Sequence, residues 1–104
     1  MFTGDEGTII YESEAVPLTA MYREEHGSSF KAQFFGKDKI KELIDSCGDQ
    51  YIGLRIYNAQ GDDGFRGFVL VGVKADENDL YEQKMLASGP ACPPSCAPSS
   101  PLNG

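Results

Sequence analysis

The chain has 104 residues, 40% hydrophobic and 24% charged, and this length and composition predict one globular domain. Sixteen Asp and Glu against nine Lys and Arg give a formal net charge of −7. This charge argues against nucleic acid as a partner, because phosphate binding needs a cationic face.

No segment approaches the roughly 20 apolar residues of a membrane span, so no membrane partner is expected. The first seven residues, MFTGDEG, lack the basic and apolar regions of a signal peptide. The expected location is therefore cytoplasmic. Cysteines in that compartment are normally thiols or metal ligands rather than structural disulfides.

The first third of the chain predicts a strand, a helix and a second strand. Residues 8–11 (TIIY) are β-branched and aromatic, which favours a short strand. Ser13 is a plausible helix cap, and the helix should run to about Glu25 and end before Gly27. Its apolar stripe is Ala15, Leu18, Met21 and Tyr22. Residues 30–34 then alternate apolar and polar side chains, as a half-buried strand does.

The middle of the chain gives the clearest pattern, a helix followed by a hairpin. Residues 37–47 place apolar side chains at helical spacing up to Cys47, and Gly48 is a natural stop. Cys47 completes this apolar stripe and is expected to be a small buried hydrophobe. Residues 51–57 and 68–73 read as two strands, with the tight turn at Asp63-Gly64.

The apolar side chains of this helix and hairpin should form one core. The predicted core consists of Ile40, Leu43, Ile44, Ile52, Leu54, Ile56, Phe68 and Leu70. Residues 68–73 (FVLVGV) are apolar on both faces, which is typical of a central strand. Two strands alone would be marginal, so a further strand is expected at an edge. Residues 80–86 are a candidate for one short strand or a helical turn. The predicted fold is α+β, with two helices packed on a small, mostly antiparallel sheet centred on the long hairpin.

The composition changes abruptly after Ser88. Residues 89–104 (GPACPPSCAPSSPLNG) hold five of the six prolines, so they are predicted to be a tail that forms neither helix nor ladder. The predicted organisation is thus a domain of residues 1–88 and a tail of residues 89–104. Within the tail, Pro93 and Pro94 bias the backbone towards an extended form, and Leu102 is the natural apolar anchor of a docking contact.

Cys92 and Cys96 form a C-x3-C pair with three possible uses. The two thiols can chelate a metal, close a small disulfide, or act as reactive groups. Zinc needs four ligands, and the chain nominally offers Cys92, Cys96, Cys47 and His26. The C-x2-C spacing of common zinc sites is absent, and no helix start follows the pair to lower a thiol pKa.

Catalytic chemistry has little support in the sequence. His26 is the single histidine and lies in the polar segment EEHGSS. Nothing in the pattern places it beside Cys47 or a serine as a general base. We therefore predict no catalytic residues, no cofactor and no enzymatic activity.

Several segments of the chain together resemble a known protein family. The segments FFGKDKIKELI, IGLRIYNAQGDDG and FVLVGVKADENDLY, with CPPSC and the closing SSPLNG, resemble a family of short uncharacterised bacterial proteins. That family combines a hairpin of IRIY and VLVGV strands with a Cys-Pro-Pro-x-Cys tail. The resemblance covers roughly residues 30–104 and implies that the tail is a functional feature, but it implies no activity.

The first functional hypothesis is a non-enzymatic interaction or assembly protein. It would bind a protein partner or self-associate through the sheet edge or an acidic face, with the tail as a docking segment. The second hypothesis is a metal-binding or redox-responsive protein that uses Cys92 and Cys96.

Overall fold

A computed structural model describes all residues from 1 to 104 and has an α+β architecture. The helices and strands, in chain order, are α1 (Glu12–His26), β1 (Ala32–Gln33), α2 (Lys37–Cys47), β2 (Gly53–Gln60), β3 (Arg66–Val73) and β4 (Ala91–Cys92). A short 3-10 helix, Gly48–Gln50, follows α2. The strands form two separate antiparallel pairs, β2 with β3 and β1 with β4. Neither helix has the length and apolar composition needed to cross a membrane.

The residues form two compact units. The hairpin unit contains Met1–Glu6 and Phe35–Gly89, and the tail unit contains Gly7–Phe34 and Pro90–Gly104. The chain passes into the tail unit directly after Gly89, next to the boundary predicted after Ser88. The structure also separates residues 7–34 from the hairpin unit, which the composition did not indicate.

In the hairpin unit, α2 has the predicted boundaries, Lys37 to Cys47. Gly36 precedes it, and Gly48 ends it with a φ of 67°, a conformation that suits glycine. Leu43 and Cys47 of α2 pack against Leu70 of β3 in a small apolar core. Partly buried apolar side chains surround that core: Phe35, Ile44, Tyr51, Phe68, Leu80 and Leu86.

Gly72 gives β3 its close approach to α2. A Cβ atom at this position would lie 2.5 Å from Cys47 Sγ and 3.2 Å from Tyr51 Cδ1. Only glycine leaves room for the thiol, and this packing makes Cys47 the buried hydrophobe that its stripe predicts.

Of the eight predicted core residues, Leu43 and Leu70 are buried, and Ile44 and Phe68 pack partly buried against them. The prediction is wrong for Leu54 and Ile56. Leu54 is 37% exposed and Ile56 is 59% exposed. Both lie on the same face of the hairpin as the core, because the register pairs Leu54 with Gly72 and Ile56 with Leu70. The core forms at α2 and β3, however, and β2 extends beyond it. Ile40 and Ile52 are half-buried.

Residues 79–86 lie beside β3 without forming a strand, so the further strand expected at an edge of the hairpin sheet is not present. They make two antiparallel bridges, from Asp79 to Val73 and from Leu86 to Leu70. Leu70 and Leu86 exchange backbone hydrogen bonds of 2.8 and 3.0 Å. The strand β3 is therefore central, with β2 on one side and this irregular segment on the other.

In the tail unit, α1 covers the predicted range but begins differently. Tyr11 occupies the N-terminal cap and Ser13 lies inside the helix, so the capping prediction is wrong. Residues 8–11 form no strand. A strand needs a hydrogen-bonding partner, and local β-propensity does not provide one.

The prediction that residues 89–104 form no ladder is also wrong. Ala91 and Cys92 pair with Gln33 and Ala32 as β4 and β1. The amides of Lys31 and Phe34 donate to the carbonyls of Cys92 and Pro90, both at 2.8 Å. Proline lacks an N–H group but keeps its carbonyl, so the carbonyls of Pro90 and Cys92 can still accept these hydrogen bonds.

Candidate functional site

The outer edge of β2 presents unpaired backbone groups. Residues of an antiparallel strand direct their N–H and C=O groups alternately to one side and the other. Leu70 and Gly72 direct theirs towards residues 79–86, since Leu70 bonds Leu86 and the Gly72 carbonyl accepts from Leu80. Val69, Val71 and Val73 therefore face β2.

The register then assigns the groups of β2. Arg55 and Tyr57 lie opposite Val71 and Val69, so their backbone groups belong to the hairpin ladder. The N–H and C=O groups of Leu54, Ile56, Asn58 and Gln60 point away from β3, along the free edge. No strand pairs with that edge, because the sheet contains β2 and β3 alone.

The side chains at this edge are apolar and exposed. Leu54 and Ile56 lie on the face that carries α2, and Ile56 is 59% exposed. The strand's sequence, GLRIYNAQ, contains no Lys, no Pro and no acidic residue. Natural sheet edges are usually protected by such residues or by a bulge. This edge has apolar side chains and open backbone groups together.

The opposite face of β2 carries a polar cluster. Arg55 Nη1 donates to Asp79 Oδ1 at 2.6 Å and to the Glu77 carbonyl at 3.2 Å. Tyr57 Oη donates to Asp79 Oδ2 at 2.5 Å. The hydrogen bond to Asp79 raises the pKa of the Arg55 guanidinium above its usual value. The cluster orients both side chains of β2 across the sheet towards residues 77–79.

A cleft of about 310 Å³ lies beside the beginning of β2. Its lining consists of Phe2, Gly4, Glu6, Ile52, Gly53, Leu54, Arg55 and Val73. Gly53, Arg55 and Val73 share the face of the hairpin opposite α2, so the cleft lies over that face at the beginning of β2 and reaches Ile52 and Leu54 at the edge of the strand. It reaches Val73 across Gly53, which has no side chain.

The other wall of the cleft is the N-terminal segment. The amide of Phe2 donates to the Ala75 carbonyl at 3.0 Å, and the Phe2 ring centroid lies 5.7 Å from the Arg55 guanidinium carbon. Glu6 accepts from the amides of Thr3 and Gly4 at 2.7 and 2.9 Å. The bond from Thr3 lowers the pKa of the Glu6 carboxyl. These contacts hold the segment beside the strand.

The tail cysteines form a disulfide, Cys92–Cys96. This disulfide is one of the three uses that the C-x3-C spacing left open, and it differs from the thiols or metal ligands expected of a cytoplasmic protein. The amide of Ser95 donates to the Ala91 carbonyl at 2.8 Å, and this turn brings the two Cα atoms to 4.7 Å. A separation of that size is within the range that a disulfide spans.

The predicted interaction residues of the tail lie at its surface. Pro93 and Pro94 are exposed at the tip of the disulfide loop. Leu102 is 46% exposed, and its carbonyl accepts from Arg23 Nη1 at 2.6 Å. Lys31 Nζ donates to the Asn103 carbonyl at 3.3 Å. The last residues are thus fixed within the tail unit through their backbone.

The nominal metal ligands are not assembled. Cys92 and Cys96 are bonded to each other, and Cys47 is buried beside Gly72 in the hairpin unit. The His26 ring stacks on Tyr22 in the tail unit, with 4.5 Å between ring centroids. The chain contains no group of three or more His, Cys, Asp and Glu side chains positioned to hold a metal ion.

Comparisons with protein-family models, curated proteins and solved structures find nothing that matches this chain. The resemblance to a bacterial family therefore stays a prediction. Sequence reasoning missed the cleft, because nothing in the sequence places Phe2 and Glu6 near residues 52–55. It also assigned Leu54 and Ile56 to the core. The absence of Lys and Pro from β2 was the available signal that its edge is open.

Proposed function

We propose that this protein is an interaction or assembly protein that binds an extended protein segment along the free edge of β2. The observation that carries this proposal is the row of unpaired backbone groups at Leu54, Ile56 and Asn58, next to the exposed Leu54 and Ile56 side chains. An added strand gains affinity from main-chain hydrogen bonds and selectivity from alternate side chains. A non-enzymatic role is part of the proposal.

The tail is proposed as a second docking element of the same protein. Pro93 and Pro94 project from a loop closed at its base by the disulfide. A closed loop loses less conformational entropy on binding than a free chain does. A cytoplasmic location stays a prediction, and the disulfide fits a reducing compartment poorly.

The decisive experiment selects displayed random ten-residue peptides on the full chain and measures their affinities by titration. Ile56→Pro removes one outward N–H while leaving the hairpin ladder intact, so selected peptides should bind it at least about 10-fold more weakly. Ile56→Ala keeps the backbone N–H donor and removes most of the side chain, so it measures the side chain's contribution to peptide affinity. Tyr81→Ala, at an exposed site outside β2, is the matched control.

Equal affinity of all selected peptides for the parent, Ile56→Pro and Ile56→Ala would refute an edge-strand site. Amide spectra of each variant show whether the fold is retained. Should Ile56→Pro unfold, Ile56→Lys replaces it in the same comparison.

A redox-responsive tail is the second candidate, and the Cys92–Cys96 disulfide favours it. A dithiol reductant would transfer two electrons and two protons, forming two thiols on the tail and a disulfide in the reductant. The test is equilibration in glutathione buffers of defined ratio, followed by alkylation and mass measurement. A tail that stays oxidised throughout the cytosolic range of potentials would exclude a redox role there.

A further inference from the structure

We propose that the occupant of the β2 edge is a second copy of this chain, with the two β2 strands antiparallel and Ile56 opposite Ile56 across a two-fold axis. This inference rests on the proposed function and specifies its partner. The resulting sheet would have four strands in the order β3, β2, β2 and β3.

The backbone pattern of β2 is self-complementary in this register. The outward-facing residues of β2 are Leu54, Ile56, Asn58 and Gln60, and the first three are symmetric about Ile56, the most exposed apolar residue of the strand. Antiparallel pairing about that residue puts Leu54 opposite Asn58 of the second copy, and these facing pairs then have both N–H and C=O groups directed at each other. Gln60 would lie opposite Ile52, whose N–H already donates to the Val73 carbonyl, so the pairing ends at Leu54. A two-fold dimer requires a surface that matches itself in this way.

Charge also favours a second copy at this strand. The chain carries a net charge of −7, so most of its surface repels another copy. The strand β2 has no acidic residue, and its single charged side chain, Arg55, is already paired with Asp79 of its own chain. The register puts Arg55 opposite Tyr57 of the second copy, so no like charges meet across the new strand pair.

The cleft at the beginning of β2 marks where the second strand would end. In this register, residues 52–55 of one chain face residues 57–60 of the other. Residues 52–55 are the four that line the cleft of about 310 Å³. Gly4 lies against Ile52 there, since a Cβ atom at Gly4 would be 3.4 Å from the Ile52 carbonyl oxygen, so the second strand pairs as far as Leu54 and ends before Ile52.

The pairing also accounts for the exposed apolar side chains. A two-fold axis normal to the sheet keeps both α2 helices on one face. Leu54 and Ile56 of both copies then form one continuous apolar strip between the two helices. Side chains that are exposed in one chain would form the centre of the dimer.

Sedimentation equilibrium of the full chain between about 1 µM and about 1 mM tests the dimer. The mass is expected to rise from that of one chain to that of two. Ile56→Lys puts two like charges at the two-fold axis and should weaken dimerisation at least about 10-fold. Tyr81→Lys makes the same charge change at an exposed site outside β2 and should leave dimerisation unchanged.

Cysteine cross-linking tests the register. Ile56→Cys should form an intermolecular disulfide under mild oxidation, because facing Cα atoms of hydrogen-bonded pairs are about 5.5 Å apart. Asn58→Cys is the matched control on the same strand and face. Its copies would be offset by four residues, about 13 Å, and should not cross-link.

The outcomes separate this inference from the proposed function. A single-chain mass over the whole range, or equal cross-linking of the two cysteine variants, overturns the dimer. Peptides that bind β2 while the protein remains monomeric would then assign the edge to a different protein. A dimer that persists in Ile56→Lys also overturns the proposal, because its interface would lie elsewhere.

Discussion

Different interactions stabilise the hairpin unit and the tail unit, each within itself. Five of the six buried hydrophobic residues lie in the hairpin unit, and the tail unit contributes only Cys92. The helix α1 has no buried residue, whereas α2 buries Leu43 and Cys47 against β3. Apolar packing stabilises one unit. A disulfide, a two-residue strand pair and hydrogen bonds to backbone carbonyls stabilise the other.

The largest apolar side chains of α1 remain exposed, unlike those of α2. Leu18 and Met21 of α1 are 64% and 62% exposed although their spacing is helical and apolar. A periodic apolar stripe is therefore not evidence of burial unless another element covers it. The tail unit compensates with a covalent cross-link, as small domains with little core often do.

The largest expected effect is the loss of Leu43. Leu43→Ala should lower the unfolding free energy of the hairpin unit by about 2–5 kcal/mol, because a buried aliphatic side chain leaves a cavity. Urea unfolding, together with hydrogen exchange of the Leu70 and Leu86 amides, measures this loss of unfolding free energy. Ile56→Ala, exposed in the single chain, is the matched control and should cost less than about 0.5 kcal/mol at about 1 µM protein, where the chain is expected to be monomeric. Equal losses in both variants would place Ile56 in the core after all.

Gly72 should be nearly as sensitive. Gly72→Ala forces a Cβ atom against Cys47 Sγ and should cost about 1–3 kcal/mol through overpacking. Cys47→Ala removes that sulfur, so the double variant should recover part of the loss. Thermal melts of the four proteins give the coupling energy. Strict additivity would mean that the two residues do not touch.

The disulfide should matter to the tail unit alone. Cys92→Ser with Cys96→Ser should destabilise that unit by about 2 kcal/mol, the loop-entropy value for so short a loop. The Lys31 and Phe34 amides, which donate to the tail, should exchange faster. The Leu70 amide should keep its parent rate. Matching acceleration at Leu70 would show that the two units unfold as one.

The smallest effect concerns an ion pair on the hairpin unit. Lys84 Nζ lies 2.8 Å from Glu42 Oε2, and this hydrogen bond lowers the pKa of the Glu42 carboxyl. Its stabilisation is present above the carboxyl's unfolded pKa and is lost as the pH falls through the lower folded pKa. Glu42→Gln should therefore lose slightly less stability than the parent between about pH 6 and about pH 3. Glu82→Gln is the exposed control and should follow the parent.

The sequence alone determined the elements whose signals are local. Residues 37–47 carry an amphipathic period bounded by Gly36 and Gly48, and the helix has those bounds. Asp63-Gly64 marks the hairpin turn, where Gly64 has a φ of 83° and Asp63 Oδ1 accepts from the Phe65 amide. Turn and helix-end preferences depend on a few neighbouring residues, so they can be read from the chain directly.

The tertiary structure decided the matters that depend on distant partners. Ile56 has the same alternation as Leu70, yet only Leu70 is buried, because α2 packs over β3 and β2 extends beyond it. Residues 8–11 have strand propensity and no partner, whereas Ala91–Cys92 have neighbouring prolines and pair with Ala32–Gln33. Burial and strand pairing are properties of two surfaces that meet. A local sequence pattern describes one of those surfaces, and only the tertiary structure shows which surface meets it.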